Sequence, residues 1–397
     1  MIPPAPKRPF IAIACGGTGG HLFPGIAVGE ELLRRGCVVS LLISPKEVDQ
    51  QGARSAAGME VVTLPAVGLT RFGWLKFATG FWKSHRLAKK LFQRRPPQAV
   101  LAMGGFTSAP PILAGKGLGA ATFLHESNAY PGRANRWLAH VVDEAFLGFP
   151  EAADHLAVAK FTTTGTPVRA QFQPQHSAAC RMALGLDQQR PVLLVMGGSQ
   201  GASGINDLVL QTLPTLAVMA PDLQIIHLAG PNDFERVRAA YARRQFKAVV
   251  RPFLTEMELA LGAASAAISR AGASSMAELA AMGLPAILIP YPAATDDHQL
   301  HNARAFVKAG AARMLAQRLA TPEILNWLIL ELTGNPVSRA AMINALARCH
   351  HPLAAETIAD RLLAARGEAV SVNVIRPETL AKQDHKLPVN QPAGIPR

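Results

Sequence analysis

Two glycine-rich turns stand where the chain could bind an anion. Gly16-Gly17-Thr18-Gly19-Gly20-His21 follows the apolar run at 10–15, and Gly197-Gly198-Ser199-Gln200-Gly201-Ala202 follows the run at 191–196. A glycine turn between a strand and a helix exposes backbone N–H groups at the positive end of the helix, where phosphate binds. Because the spacing is not G-x-G-x-x-G, the turns do not match the dinucleotide fingerprint. We expect phosphate binding here and no cofactor.

A second group of polar residues lies further along the chain, after short apolar runs typical of buried parallel strands. The run at 266–268 is followed by Ser275 and Glu278, whose Ser-x-x-Glu spacing predicts a capping box at the start of a helix. The run at 286–289 is followed by Thr295-Asp296-Asp297-His298-Gln299. In open parallel sheets ligands bind at the carboxyl ends of the strands, which makes this loop a candidate site.

The same succession of predicted elements positions these residues in both halves of the chain. Strand, glycine turn and helix occur once in each half of the 397-residue chain, which predicts two Rossmann-like domains. We place one domain at 1–170 and the other at 171–349. A helix at about 350–366 is expected to pack back on the first domain, and the polar, Pro-rich residues 367–397 are interpreted as a disordered tail.

The charge of the chain and its lack of long apolar runs indicate what kinds of partner it binds. The formal net charge is +13, and the four cysteines have no metal or disulfide spacing. No run approaches the roughly 20 apolar residues of a transmembrane helix. Between Val61 and His125 there is no acidic residue, while that window contains Arg71, Lys76, Lys83, Arg86, Lys89, Lys90, Arg94, Arg95 and Lys116. Such a positive field attracts phosphate, of either nucleic acid or anionic lipid.

Two motifs carry a family resemblance. Arg270-x-Gly272-Ala273-x-x-x-x-Glu278 is followed by Asp296-Asp297-His298-Gln299-x-x-Asn302-Ala303. In this the chain resembles the bacterial undecaprenyldiphospho-muramoylpentapeptide β-N-acetylglucosaminyltransferases, which add the second sugar of the lipid-linked peptidoglycan precursor. Over roughly residues 10 to 365 the resemblance implies an α/β chain with the GT-B fold, two Rossmann-like domains facing across a cleft. It also implies inverting transfer from UDP-N-acetylglucosamine (UDP-GlcNAc) without an essential metal.

The resemblance carries over to individual residues. Those it implies on the walls of the donor cleft are Thr18, Gly19, Gly20, Asn128, Arg169, Ser199, Gln200, Leu254, Glu278, His298 and Gln299. Thr18, Gly19, Gly20 and Asn128 belong to the first domain and also face the acceptor. Glu278 would accept hydrogen bonds from the ribose hydroxyls, although the capping box explains the same residue. Thr166 stands where the family has Asn, two residues before Val168-Arg169, which leaves the role of that Asn open.

Glycosyl transfer to a hydroxyl needs a base, for which the sequence offers two candidates. His21 is favoured by residue type, because its reference pKa lies near neutrality and a helix N-terminus disfavours the imidazolium. Glu126, in the run His125-Glu126-Ser127-Asn128, is the second. The alternative for His21 is a structural role, in which its side chain caps the turn.

A helix predicted over 74–92 offers a way to reach a lipid substrate. Trp74, Phe77, Ala78, Phe81, Ala88 and Phe92 form the stripe expected to face the core. Leu75 and Trp82 lie about 80–100° from it, and with Phe72 and the neighbouring Lys76 and Lys83 they would dock on an anionic membrane. The cytoplasmic face of the inner membrane is the expected location, with the lipid-linked muramoyl-pentapeptide as acceptor. A nucleic-acid face is disfavoured because no aromatic stacking motif accompanies the charge. A GT-B enzyme with another lipid or a small aglycone as acceptor, and a UDP-GlcNAc epimerase, are the alternative enzymes.

Overall fold

The computed structural model describes residues 8–17, 19–68, 73–198 and 200–365. Two parallel sheets organise these residues, one in each half of the chain. The α/β class and the arrangement of two Rossmann-like domains predicted from the sequence are confirmed. Within the described part of the chain, no helix combines the length and the apolar character that a membrane span requires.

The first sheet has seven parallel strands in the order β3-β2-β1-β4-β5-β6-β7. They are β1 (Phe10–Ala14), β2 (Val38–Ile43), β3 (Glu60–Thr63), β4 (Ala99–Ala102), β5 (Ala121–Glu126), β6 (Glu144–Leu147) and β7 (Phe161–Thr163). Its helices are α1 (Gly19–Arg34), α2 (Glu47–Gly52), α3 (Trp74–Arg94), α4 (Ala109–Lys116) and α5 (Arg133–Leu138). Successive side chains of β1 alternate between two cores: Ile11 and Ile13 pack with α1, and Ala12 and Ala14 pack with α3 and α4. A strand covered by helices on both faces must be apolar throughout.

The second sheet has six parallel strands in the order β10-β9-β8-β11-β12-β13. They are β8 (Val192–Met196), β9 (Gln224–Leu228), β10 (Ala248–Arg251), β11 (Ala266–Ser269), β12 (Ala286–Leu288) and β13 (Arg313–Met314). The helices are α6 (Ser177–Ala183), α7 (Ser203–Met219), α8 (Phe234–Arg243), α9 (Met257–Ala263), α10 (Ala273–Met282), α11 (His298–Lys308), α12 (Pro322–Gly334) and α13 (Pro336–Cys349). Gly17 and Gly198, the second glycines of the two turns, both have φ of +97°.

The chain then returns to the first domain. Helix α14 (Ala354–Ala364) packs along α1, with Ile358 and Leu362 in the same core cluster as Ile11. Gln98 donates to the carbonyl of Leu363 at 2.7 Å. Residues 367–397, interpreted above as a tail, lie outside the described part of the chain.

Three local expectations are wrong. Helix α1 begins at Gly19, inside the predicted glycine turn, so that Gly19, Gly20 and His21 form its first turn. Helix α10 begins at Ala273 with Gly272 as the N-cap and no side-chain cap. Since the backbone N–H of Ser275 is already inside the helix, Ser275 and Glu278 do not form a capping box.

The third concerns α3. Gly80, Ser84, Ala88 and Phe92 are its buried residues, whereas Trp74, expected in the core, is 65% exposed. Small residues at Gly80 and Ser84 allow close packing, and a Cβ on Gly80 would lie 2.9 Å from the carbonyl oxygen of Pro65. The helix therefore rests on the sheet through a face rotated away from Trp74.

Candidate active site between the two domains

His21 lies on the first turn of α1. The turn after β4 packs on its ring through Gly104 and Gly105, which have φ of +107° and +77°. A Cβ on Gly104 would stand 2.8 Å from the ring carbon Cε1 of His21. Glycine is required there both for the left-handed backbone and for the approach to the imidazole.

Burial sets the protonation state of His21. Desolvation lowers the pKa of His21, and nearby Glu126 opposes this effect more than the backbone of Met103 or the charge of Asp49 does. His298, at the start of α11 in the second domain, lowers the pKa further. The Nδ1 atom is buried with no hydrogen-bond partner of good geometry, whereas the residue as a whole is partly exposed. Neutral imidazole is therefore the form expected at neutral pH.

Glu126, the other candidate base, ends β5 and is almost fully buried. Its Oε1 accepts from the backbone N–H of Asn128 at 2.8 Å and from the Asn128 side chain at 3.0 Å. Its Oε2 accepts from the N–H of Gly132 at 3.0 Å and from Asn135 at 2.8 Å. Four donors on one carboxylate fix the loop after β5.

Asn128 is held from both domains. Besides its bonds to Glu126, its Oδ1 accepts from the side chain of Asn302, on α11, at 3.0 Å. The nearby turn at Asp296 and Asp297 has φ of 51° and 50°. There Asp296 accepts from Arg133 at 3.0 Å and from Arg136 at 2.7 Å. This turn is therefore part of the contact between the domains.

Arg169 and Glu278, two charged residues of the predicted donor site, interact electrostatically. The Arg169 guanidinium lies over the rings of Phe23, at 4.4 Å, and Phe172, at 5.0 Å, and its Nε is buried without a partner. Burial raises the pKa of Glu278 to about 7, although Arg169 opposes the shift. Since α10 begins before Ser275, the Glu278 carboxyl group is not occupied with capping a helix.

The other residues predicted to bind the donor lie on loops of the second domain. Gln200 is exposed on the glycine turn before α7, and Leu254 is partly buried after β10. His298 begins α11, with its Nδ1 within 2.7 Å of the Thr295 carbonyl oxygen. Gln299 accepts from the N–H of Tyr291 at 2.9 Å. Thr18 and Ser199, two residues of the predicted site, lie outside the described residues.

Arg270, by contrast, is occupied within its own domain. Its Nη1 donates to the carbonyls of Ile289, at 3.0 Å, and Pro290, at 3.2 Å, and to Oε1 of Gln317 at 2.8 Å. Those bonds fix the end of β12, from which the loop carrying His298 and Gln299 departs. The arrangement agrees with a structural role for this arginine.

One buried acid behind the first glycine turn was not identified from the sequence. Asp49 is fully buried, and its Oδ2 accepts from the N–H of Gly17 at 2.6 Å and from the hydroxyl of Ser44. Lys46 donates to the carbonyl of Gly17 at 3.0 Å. Both residues lie in a polar stretch after β2, where only the tertiary contact distinguishes them from surface charges.

The C-terminal domain model of glycosyltransferase family 28 matches residues 192–358, and its N-terminal domain model matches residues 11–147. The chain belongs to glycosyltransferase family 28.

Individual relatives show which members of the family the chain resembles. A UDP-N-acetylglucosamine–N-acetylmuramyl-(pentapeptide) pyrophosphoryl-undecaprenol N-acetylglucosamine transferase of Anaeromyxobacter sp. (strain Fw109-5) is 38% identical over 88% of this chain and 91% of its own length. Among solved structures, Acinetobacter baumannii MurG has a TM-score of 0.68 and 27% identity, covering 90% of this chain and 99% of that one. A UDP-N-acetylglucosamine 2-epimerase shares the fold alone, with a TM-score of 0.65 and 14% identity over 90% of this chain and 96% of that one.

Proposed function

We infer that this chain transfers N-acetylglucosamine from UDP-GlcNAc to undecaprenyl-diphosphate-linked N-acetylmuramoyl-pentapeptide. The observation that carries the proposal is the meeting of two motifs in one cleft. His21, on the first turn of α1, faces the second domain, whose Glu278 and Gln299 belong to the motifs that the family shares. The relatives that carry this activity by name cover nearly the whole described chain.

The first chemical step assigned to the cleft is removal of a proton. Since Nδ1 of His21 is buried, Nε2 is the atom left to accept the proton of the acceptor hydroxyl. The hydroxyl oxygen then attacks the anomeric carbon, the bond from that carbon to the UDP oxygen breaks, and UDP leaves with the electron pair. One displacement inverts the anomeric centre, which gives a β-linked disaccharide.

Glu126 is less suited to that task. Its four hydrogen-bond donors hold the carboxylate in place, and accepting a proton would break at least one of those bonds. We assign it to fixing the loop that carries Asn128, and His21 to proton transfer.

The second domain binds the donor. Backbone N–H groups at the start of α7 face the diphosphate and stabilise the charge that develops on leaving UDP. The Glu278 carboxylate accepts from the ribose hydroxyls, and Gln200, Leu254, His298 and Gln299 line the nucleotide and sugar. Arg169, between Glu278 and the first domain, lies where it can offset the negative charge of the donor.

We also propose that α3 docks the protein on a membrane. Leu75 and Trp82 are 62% and 58% exposed on α3, on the side opposite its buried residues. Arg86 lies over the Trp82 ring at 5.3 Å, and Lys76, Lys83, Lys89 and Lys90 are exposed around them. An apolar strip bordered by cations suits the headgroup region of an anionic leaflet. Phe72, the other residue predicted for this strip, lies outside the described residues. We place the protein on the cytoplasmic face of the inner membrane.

The function is tested by incubating the protein with UDP-GlcNAc and a short-chain lipid-linked muramoyl-pentapeptide. Mass spectrometry should detect the lipid-linked disaccharide and one UDP for each disaccharide. The epimerase alternative predicts a C2 epimer of the sugar and no dependence on the acceptor. Transfer to an unrelated lipid at a higher rate than to the muramoyl acceptor would contradict the assigned substrate.

A further inference from the structure

Asn302 connects the two domains through its side chain. It is fully buried on α11 of the second domain. Its Oδ1 accepts from the backbone N–H of Ala129, in the first domain, at 2.8 Å. Its Nδ2 donates to Oδ1 of Asn128 at 3.0 Å and to the carbonyl of Ala271, in its own domain, at 3.1 Å. One amide thus satisfies three partners, two of them across the domain boundary.

The first-domain partners of Asn302 belong to the loop that Glu126 organises. Asn128 donates to Glu126, and Ala129 is counted in the hydrophobic core of the second domain although it follows β5 of the first. The carbonyl of Ala271 precedes Gly272, the N-cap of α10, so Asn302 also contacts the turn that leads to Glu278. The amide therefore joins the start of the donor-binding helix to the loop on the acceptor side.

We propose that Asn302 is a positioning residue that aligns the Asn128 loop with the donor-binding domain when the cleft closes. Separating the domains would leave the N–H of Ala129 and the Oδ1 of Asn128 to water. Closure replaces both water contacts with one rigid amide, which fixes Asn128 beside Glu126. The residue does not touch the reacting atoms, and its effect passes through Asn128. The inference rests on the proposed function only for the identity of the reaction that this alignment serves.

The first test needs no substrate. In the ligand-free protein the backbone amide of Ala129 should exchange with deuterium slowly, because it is buried and bonded to Asn302. Asn302→Ala should exchange at this amide at least about tenfold faster, the factor expected for loss of a buried partner. Asn326→Ala is the matched control, since Asn326 is also buried in the second domain but lies on α12. It should leave Ala129 exchange unchanged, even if it lowers the melting temperature.

The second test is kinetic. Asn302→Ala should lower kcat by about 10- to 100-fold, with the affinity for UDP-GlcNAc measured by calorimetry within about threefold of wild type. Asn302→Asp preserves the shape and the Oδ1 acceptor but removes the donor to Asn128. We expect the same loss of kcat from it.

Several outcomes would overturn the proposal. Unchanged Ala129 exchange in Asn302→Ala, wild-type kcat in Asn302→Asp, or a loss of UDP-GlcNAc affinity as large as the loss of kcat would each do so. If the assigned acceptor were wrong, wild type itself would give no disaccharide, whereas the exchange experiment would still report on Asn302. A failure of the role proposed for Asn302 is thereby distinguishable from a failure of the proposed function.

Discussion

The hydroxyl of Ser274 donates to the carbonyl of Gly20 at 3.1 Å, from the second domain to the first. This carbonyl is available because Pro24 lies four residues later inside α1 and has no N–H to donate to it. The proline thus leaves an acceptor on the first turn of the helix that carries His21. The start of α10 in the second domain supplies the missing donor.

Ser274→Ala should therefore weaken the alignment of His21 with the donor domain. A typical hydrogen bond contributes about 0.5–1.5 kcal/mol, so kcat/KM should fall about two- to tenfold. Ser55→Ala is a matched control, because Ser55 donates to the carbonyl of Gly52 at 2.8 Å within the first domain and should leave kcat/KM unchanged. Steady-state kinetics with both variants measure the difference, and equal effects would mean that the contact across the cleft has no part in catalysis.

His21→Ala should lower kcat by a factor of about 10² to 10⁴, the usual contribution of a positioned base. Since burial lowers the pKa of His21, wild-type kcat at saturating UDP-GlcNAc should be level near pH 7 and fall only on acidification below the ordinary histidine range. The variant should lack the part of this fall that His21 causes, and its affinity for UDP-GlcNAc should be close to wild type. Near-normal turnover would transfer the role to Glu126 or to no side chain.

Glu278 should make donor binding depend on pH. Its pKa is raised to about 7 in the free protein, and the carboxylate is the form that accepts from ribose hydroxyls. UDP-GlcNAc affinity should rise as pH rises through this value, and binding at neutral pH should release protons. Calorimetry in buffers of different ionisation enthalpy measures that release. Glu278→Gln should bind more weakly at high pH and show no such release, and a wild-type affinity that is flat from acid to alkaline pH would contradict the assigned role.

Replacing Glu278 should weaken donor binding without removing a helix cap. Because α10 has no side-chain cap, Glu278→Ala should keep or raise the melting temperature while weakening donor binding. A folded variant with wild-type donor affinity would remove Glu278 from the donor site.

The membrane strip is tested by a Leu75→Ser, Trp82→Ser double substitution. Both residues are exposed, so the melting temperature should be almost unchanged. Binding to vesicles containing anionic lipid, measured by sedimentation, should fall, and activity on a long-chain acceptor should fall with it. Activity on a water-soluble short-chain acceptor should be retained. Val218→Ser is a control for general loss of exposed apolar surface, since Val218 is exposed on α7 of the other domain. Equal loss on both acceptors would contradict docking.

The sequence by itself determined the parts of the protein that depend on local pattern. Apolar runs followed by glycines predicted the strands and the two turns, because buried parallel strands require continuous apolar side chains and the turns require positive φ at Gly17 and Gly198. The motifs around Glu278 and His298 then indicated the family. These features are readable because each is set by neighbours within a few residues.

Tertiary structure decided where α1 and α10 begin. It also decided which polar side chains are buried and hydrogen-bonded. The glycines up to His21 were expected to form a turn, yet α1 begins at Gly19. The four donors to Glu126 and the burial of Asp49 have no local signature either. Asn302 and Asn128 are 174 residues apart. Only the packing of one domain on the other brings such residues together, and hydrogen bonding on burial then gives each a single arrangement.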